Sequence, residues 1–542
     1  MPPLLSRSRE PPADEPDVRS HKGSAVAPMK DSFTQSMDWL HTWSGLLFGW
    51  LLFAIFLTGT LTVFDKEITY WMQPELHQIQ TSSLPNVDAA SRHLAKLGGD
   101  SDHWWIQLPT TRIPVTKIFW KAGDSFEERL IDPVSGDVLT ARETRGGDFF
   151  YRFHYQLHLD DPGVWMVGTA AMVMLVALVT GLAIHHRFFK DFFTFRPKSS
   201  PHRAWLDLHN VTSVLVLPFH FMITFTGLVI FWQIYMPAGV HLFYGGDPEK
   251  VFDDLEQHIE LATQHSPAQL VSLPELERVA REHWHGGTTE WIEVKHPGDR
   301  GATVEITRLP DDRLALISDR VTFDGATGEI LQVWNGDRPA FLTYSVMIGL
   351  HYLWFDRSVI RWLYFLMGLA ASTMIATGLV LWTVKRRARQ AAHEQVYGYR
   401  AAERLNIAVI AGLPVAVGSF FWANRLFPMD LADRAQWEMR VFFLVWALCA
   451  VHAFLIQDAH VAWKKTLCAS AILFALLPAL NMVTTQSHLL ITLPAHTWRL
   501  AGVDLAGMAA GLLAGWGAWR ISRPVESAMQ VGREPVLEPK QV

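Results

Sequence analysis

The sequence predicts a polytopic α-helical membrane protein with a duplicated core, each copy a spanning helix, a small α+β domain and a second spanning helix, followed by about four more spanning helices. Three observations predict it. Apolar runs long enough to cross a bilayer recur along the chain. Two long polar stretches separate the first runs in pairs. Both the runs and the polar stretches repeat internally.

Composition agrees. The 542 residues are 49% hydrophobic and 18% charged, closer to a membrane protein than to an average soluble enzyme. A net charge of −6 without blocks of like charge gives no surface for nucleic acid. Cys449 and Cys468 both lie in apolar runs, so neither a disulfide framework nor a thiolate metal site is available and both read as packing residues. The unusual counts are 24 His and 23 Trp. Tryptophan anchors spans at the interface, as expected of Trp39, Trp43, Trp165, Trp205 and Trp362, but membrane proteins seldom need so many histidines.

In chain order, residues 1–35 are polar and Pro-rich and read as a disordered tail. The first apolar run, Trp43 to Phe64, stops at Asp65, Lys66 and Glu67, and gives a first span over 36–64. Runs at Val164 to Ile184, Val211 to Phe231 and Val359 to Val384 give three more, within 163–187, 205–232 and 346–385. Four shorter runs follow within 405–520, at Leu405 to Trp422, Val441 to Ile456, Leu467 to Met482 and Leu500 to Trp519, before a tail over 521–542. Short basic loops mark the cytoplasmic side. They carry Arg187, Lys190, Arg196, Lys198 and Arg203 after span two, Lys385 to Arg389 after span four, and Lys464 with Lys465 between spans six and seven. Both termini are therefore expected in the cytoplasm, with the polar stretches 65–162 and 233–345 outside, in the periplasm of a Gram-negative cell.

Those stretches look related. DPVSGDVL from Asp132 matches DGATGEIL from Asp324, each a tight turn whose Gly takes the unusual backbone angles, and KIFWKAG and TVEITRL before them alternate like strands. The repeat extends into the spans. LHTWSGLLFGWLLFAIFLTG from Leu40 aligns without a gap to LHNVTSVLVLPFHFMITFTG from Leu208. Spans two and four also share Thr-Gly, and a Leu-His before it, at Leu157-His158 and Leu350-His351.

The histidines fall into tiers by depth. His41 and His209 open spans one and three at the inner interface, where His185 and His186 end span two; His154, His158 and His351 precede spans two and four at the outer one. His220, mid-span, follows His209 by close to three helical turns, so both are expected on one face, about 16 Å apart along the axis. Neutral imidazoles from facing helices suit two haems stacked across a bilayer, held without covalent attachment because no C-x-x-C-H occurs. An interface histidine also commonly caps a helix or meets a headgroup. That bland assignment is kept for His154, His452, His488 and His496, whereas a buried mid-membrane imidazole such as His220 is costly to leave unpaired.

The stretch HHRFFKDFFTFRPKSSPHRAWLDLHNVTSVLVLPFHFMITFTGLVIF from His185, with LHYLWFDRSVIRWLYFLMGLAASTMIATGLVLW from Leu350, resembles the PepSY-associated transmembrane (PepSY_TM) family. Its iron-regulated members include inner-membrane ferrisiderophore reductases. The resemblance covers about residues 36–388. It implies four core helices, two PepSY-like periplasmic domains, two b-type haems and reduction of siderophore-held ferric iron in the inner membrane. The positions it marks as ligands are His41, His158, His186, His209, His220 and His351, with His185 beside them, more than two haems require; the pairing stays open. It does not reach residues 405–520, whose helices dock a partner, bind quinol or stabilise the bundle.

The expected activity is that of a membrane-bound di-haem ferric-siderophore reductase. Its partners are a ferric siderophore, the lipid bilayer, and an electron donor outside this chain, a quinol or a cytoplasmic reductase. No G-x-G-x-x-G follows a strand, so no dinucleotide domain is expected. Trp104, Trp105 and Trp284 are assigned to packing rather than to siderophore contact. Two other classes fit the same spans: a PepSY-type anchored regulator of a peptidase or signalling partner, which needs no haem, and a permease for an iron complex, which needs a polar mid-membrane path.

Overall fold

The computed structural model describes residues 29–80, 85–123, 125–184, 196, 200–259, 261–336, 338–353, 358–391 and 398–522. Among them, seven helices are long and apolar enough to cross a membrane, or eight if one bent pair is a single span. In the core these are α1 (Met29–Thr62), α5 (Asp160–Ile184), the bent pair α6 (Pro201–Leu215) and α7 (Leu217–Ile230), and α11 (Ser358–Ala391). Short helices precede the second span of each repeat, α4 (Asp148–Gln156) before α5 and α10 (Pro339–Tyr352) before α11. α1 packs on α5 and α11, α6 on α11, and α7 on α5 and α10. The expected continuous third span is instead broken. Pro218 has no N–H to give the preceding turn, and α6 and α7 meet at 64° there.

The two polar stretches build one sheet between them. Its order is β4 (Val138–Leu139), β3 (Ser125–Ile131), β2 (Thr116–Ala122), β1 (His103–Gln107), β5 (Thr289–Lys295), β6 (Thr303–Arg308), β7 (Arg320–Asp324) and β8 (Ile330–Trp334), antiparallel throughout. The halves join where β1 pairs with β5, Trp105 opposite Glu293. Each would otherwise leave a strand edge unpaired. Ile106, Ile118, Ile292, Val304, Ile306 and Phe323 bury one face against α3 (Val87–Leu97) and α9 (Leu273–His283). The repeated turns have the same wiring. Asp132 Oδ1 accepts from Val134 and Ser135 N–H, and Asp324 Oδ1 from Ala326 and Thr327 N–H; Gly136 and Gly328 take φ of 80° and 78°.

The C-terminal region supplies four further spans, α12 (Tyr399–Leu426), α13 (Arg434–Leu455), α14 (Ala459–Thr484) and α15 (Trp498–Ser522). They fasten to the core through paired polar groups, as burial demands. Trp50 Nε1 donates to Asn406 Oδ1 at 2.8 Å. Trp71, on α2 (Asp65–Met72), donates to Asp504 Oδ1 at 3.1 Å and lies 3.8 Å below the Arg425 guanidinium. Arg434 and Glu438, both without solvent exposure, pair with each other and reach Glu143 O and Thr144 Oγ1 in the first repeat.

Candidate functional site

Four Thr-Gly pairs, one per core span, each receive a histidine from a neighbouring helix. His41 of α1 places Nδ1 2.9 Å from Ala177 O, with Thr180-Gly181 one turn on. His209 of α6 repeats this on α11, Nδ1 2.9 Å from Met374 O beside Thr377-Gly378. His154 of α4 donates to Ile55 O of α1, 2.8 Å away, beside Thr58-Gly59. His351 of α10 bonds Ile223 O of α7, with Thr226 Oγ1 at 3.1 Å and Gly227 beneath its ring. Carbonyl, Thr three residues later and Gly four residues later form one receptacle made four times. Glycine is required for room: a Cβ on Gly59 would stand 2.6 Å from His154 Nδ1, and one on Gly227 2.9 Å from His351 Cε1.

The four rings meet in two pairs, each drawing one histidine from each repeat. His41 and His209 have ring centres 6.5 Å apart at the end of the bundle away from the sheet, and His154 and His351 have centres 6.0 Å apart at the sheet end. Each pair lines a cavity. The sheet-end cavity has Tyr151, Tyr155, Tyr235, Tyr352 and Tyr364 in its wall; the hydroxyls of Tyr151 and Tyr352 meet at 2.9 Å. The other has Met174, Leu178, Asn210 and Met374 beside the histidines. Neutral imidazole is the form that binds metal.

The other expected positions fall elsewhere. His158 follows the left-handed end of α4 at Leu157, itself with φ 54°, and Nε2 donates to Phe149 O while the ring stacks on Phe149 at 4.7 Å. It lines neither cavity. The shared Leu-His misaligned the repeats, because α4 and α10 are capped by Leu157 and Leu353, which puts His154 and His351, not His158, in the last turns. The signal for His154 was in the sequence: four Thr-Gly pairs call for four rings. His209 and His220 lie on either side of the 64° break at Pro218, so the unbroken three-turn spacing expected between them does not hold. His185 and His186 lie outside the described residues. Trp104 is core, donating to Gly98 O at 2.8 Å, and Trp105 stacks on His103 at 3.7 Å.

Chemically, each pair offers two nitrogen ligands and no more. Among the described residues no group of three or more His, Cys, Asp or Glu is placed to hold a metal ion.

Two comparisons bear on this core. The sequence model for the PepSY-associated TM region matches residues 39–385, from just before His41 to the end of the spanning part of α11. An uncharacterized protein of Pseudomonas aeruginosa is 25% identical over 331 residues, which cover 57% of this chain and 80% of the relative.

Proposed function

The chain belongs to the PepSY-associated transmembrane family, and from that premise we propose that it is a haem-containing reductase of the bacterial inner membrane, passing electrons across the bilayer to ferric iron in siderophore complexes on the periplasmic side. The observation that carries the reading is the double pairing of His41 with His209 and His154 with His351. At 6.5 and 6.0 Å between ring centres, the two imidazoles of each pair are close enough that they would hold one haem iron between them. Haem bound at both levels would supply one-electron carriage.

The chain's own residues have definite parts. Ala177, Met374 and Ile55 carbonyls accept from Nδ1 of His41, His209 and His154, and Ile223 O from a ring N–H of His351, which would fix each tautomer and leave the other ring nitrogen for a metal, as in other histidine metal sites. The glycines let the rings lie against the helices. Apolar and tyrosine side chains wall the sheet-end pair. The sheet, on the same side as that pair, is the candidate holder of the acceptor. One electron per ferric ion, drawn from a quinol or a cytoplasmic reductase, converts it to ferrous iron, which hard anionic siderophore oxygens bind less well. Basic residues such as Lys385 and Arg387 lie in the last turns of α11, and they support a cytoplasmic assignment for that end.

The test is a dithionite-reduced minus oxidised spectrum of the purified protein with extracted haem counted per chain. About two b-type haems supports the reading. A colourless protein after expression with ample haem overturns it and leaves the regulator.

A further inference from the structure

His220 belongs to neither pair and stands in the gap between them. By helical rise, His41 and Gly59 mark levels about 27 Å apart along α1, and His220 lies about 10 Å from the level of Gly227 on α7. It is without solvent exposure, and among the described residues neither ring nitrogen has a hydrogen-bond partner. Phe56 and Phe219 face its ring, with centres 6.3 and 6.5 Å away. Both also line the sheet-end cavity. One turn further along the same face of α7, Thr224 lines that cavity too, and its Oγ1 is buried without a partner. Elsewhere on these spans threonine hydroxyls return to a carbonyl of their own helix, as Thr226 does to Met222 O and Thr60 to Phe56 O.

Two buried polar side chains one turn apart, both unpaired, are not the outcome of packing alone. Each forfeits water without gaining a partner, and on a membrane helix such groups are retained where they line a pathway or bind something. The guest must be small and able both to donate and to accept, because imidazole offers one N–H and one lone pair and the hydroxyl offers either.

We propose that His220 and Thr224 bind one water molecule between the two imidazole pairs, and that this bridge is a positioning element for electron transfer between them. The inference rests on the haem reading above. A bound water held by two polar groups reorients its dipole when negative charge arrives nearby; an apolar partition does not. Its positive end turned toward the sheet-end pair stabilises the extra electron there, which raises that centre's reduction potential and favours transfer toward the sheet. No bond is made or broken.

The experiment is a spectropotentiometric titration of the full-length protein, wild type against His220→Phe, His220→Asn and Thr224→Val. The expected result is two haems with unchanged band positions in every variant. In His220→Phe the equilibrium between the centres shifts about tenfold away from the sheet-end one, about 59 mV for a one-electron couple. The shift is smaller in Thr224→Val, and His220→Asn, whose amide can still hold water, recovers part of it. Unmoved midpoints with both haems retained make His220 a packing residue and overturn the proposal. Loss of one haem in His220→Phe makes it an axial ligand and overturns it equally. If His220→Phe does not accumulate, Thr224→Val carries the test, and an unmoved midpoint there is the overturning result. Absence of haem bands from the wild type, measured first, ends the reading under Proposed function instead.

Discussion

His154 and His351 come from corresponding short helices of the two repeats and meet with ring centres 6.0 Å apart and planes 29° from parallel. Their neighbour His158 spends its ring nitrogen on Phe149 O. We predict that His154→Ala lowers haem content from about two to about one per chain, while His158→Ala leaves it at two. Extracted haem per chain decides between them, and the reverse order would return the sheet-end ligand to His158.

The receptacle glycines give a second prediction. A methyl group on Gly59 or Gly227 meets the imidazole well inside contact distance, and overpacking of this kind costs about 1–3 kcal/mol. Gly227→Ala should therefore displace His351 and broaden or shift the low-spin haem signal of one centre, with the other unchanged. Gly239→Ala, where a Cβ meets nothing within 4 Å, is the control, and its electron paramagnetic resonance spectrum should match the wild type.

Arg434 and Glu438 test the docking of the C-terminal helices. Both are fully buried, and Glu438 also accepts from Asn424 Nδ2 at 2.8 Å and from Thr144 Oγ1 at 2.6 Å. Removing one member of a buried pair strands the other charge, at about 3–5 kcal/mol, whereas replacing both with apolar residues is often close to neutral. Arg434→Met should lower the detergent melting temperature clearly, and Arg434→Met with Glu438→Leu should regain most of the loss. Equal losses in the single and double variants would mean that the pair does not hold the junction.

A pH effect is expected at the sheet. His258 follows α8 (Pro248–Glu256), and hydrogen bonds to Glu256 and then Glu305 push it up to about 9. A pKa raised on folding stabilises fully below the unfolded value of about 6.5 and loses that stabilisation as pH rises through about 9. The tie between α8 and β6 should loosen between pH 7 and 10, seen as faster proteolysis near residues 257–265. His258→Gln should show a flat profile over that range. His258 is about one-third exposed, so salt should weaken the effect.

Much of the core was legible from spacing alone. Apolar length located the four core spans and the four that follow, the gapless match of Leu40 to Leu208 exposed the duplication, and Asp132 and Asp324 marked turns that have the same hydrogen bonds. His41 and His209 were picked out because they fall at equivalent places in that match. What failed depended on three-dimensional phase. A shared Leu-His drew attention to His158, although the left-handed residue that ends α4 turns its ring onto Phe149 and Phe443, outside both cavities. A three-turn spacing linked His220 to His209, although Pro218 breaks the helix between them. The union of two domains into one sheet was hidden because β1 and β5 pair across a long separation, and strand alternation records which face is buried but not which strand lies beside it.

The seam between β1 and β5 also says something about ancestry. A single copy of the repeat would present β1 as a bare edge and offer one imidazole at each level, so neither its sheet nor its ligand sets would be complete. Two copies related by a twofold axis, strand against strand, complete both at once, as a self-complementary interface does. A protein of this design descends most simply from a homodimer whose genes fused. Residues up to the end of α5, expressed together with residues from the start of α6, should then reassemble as separate chains.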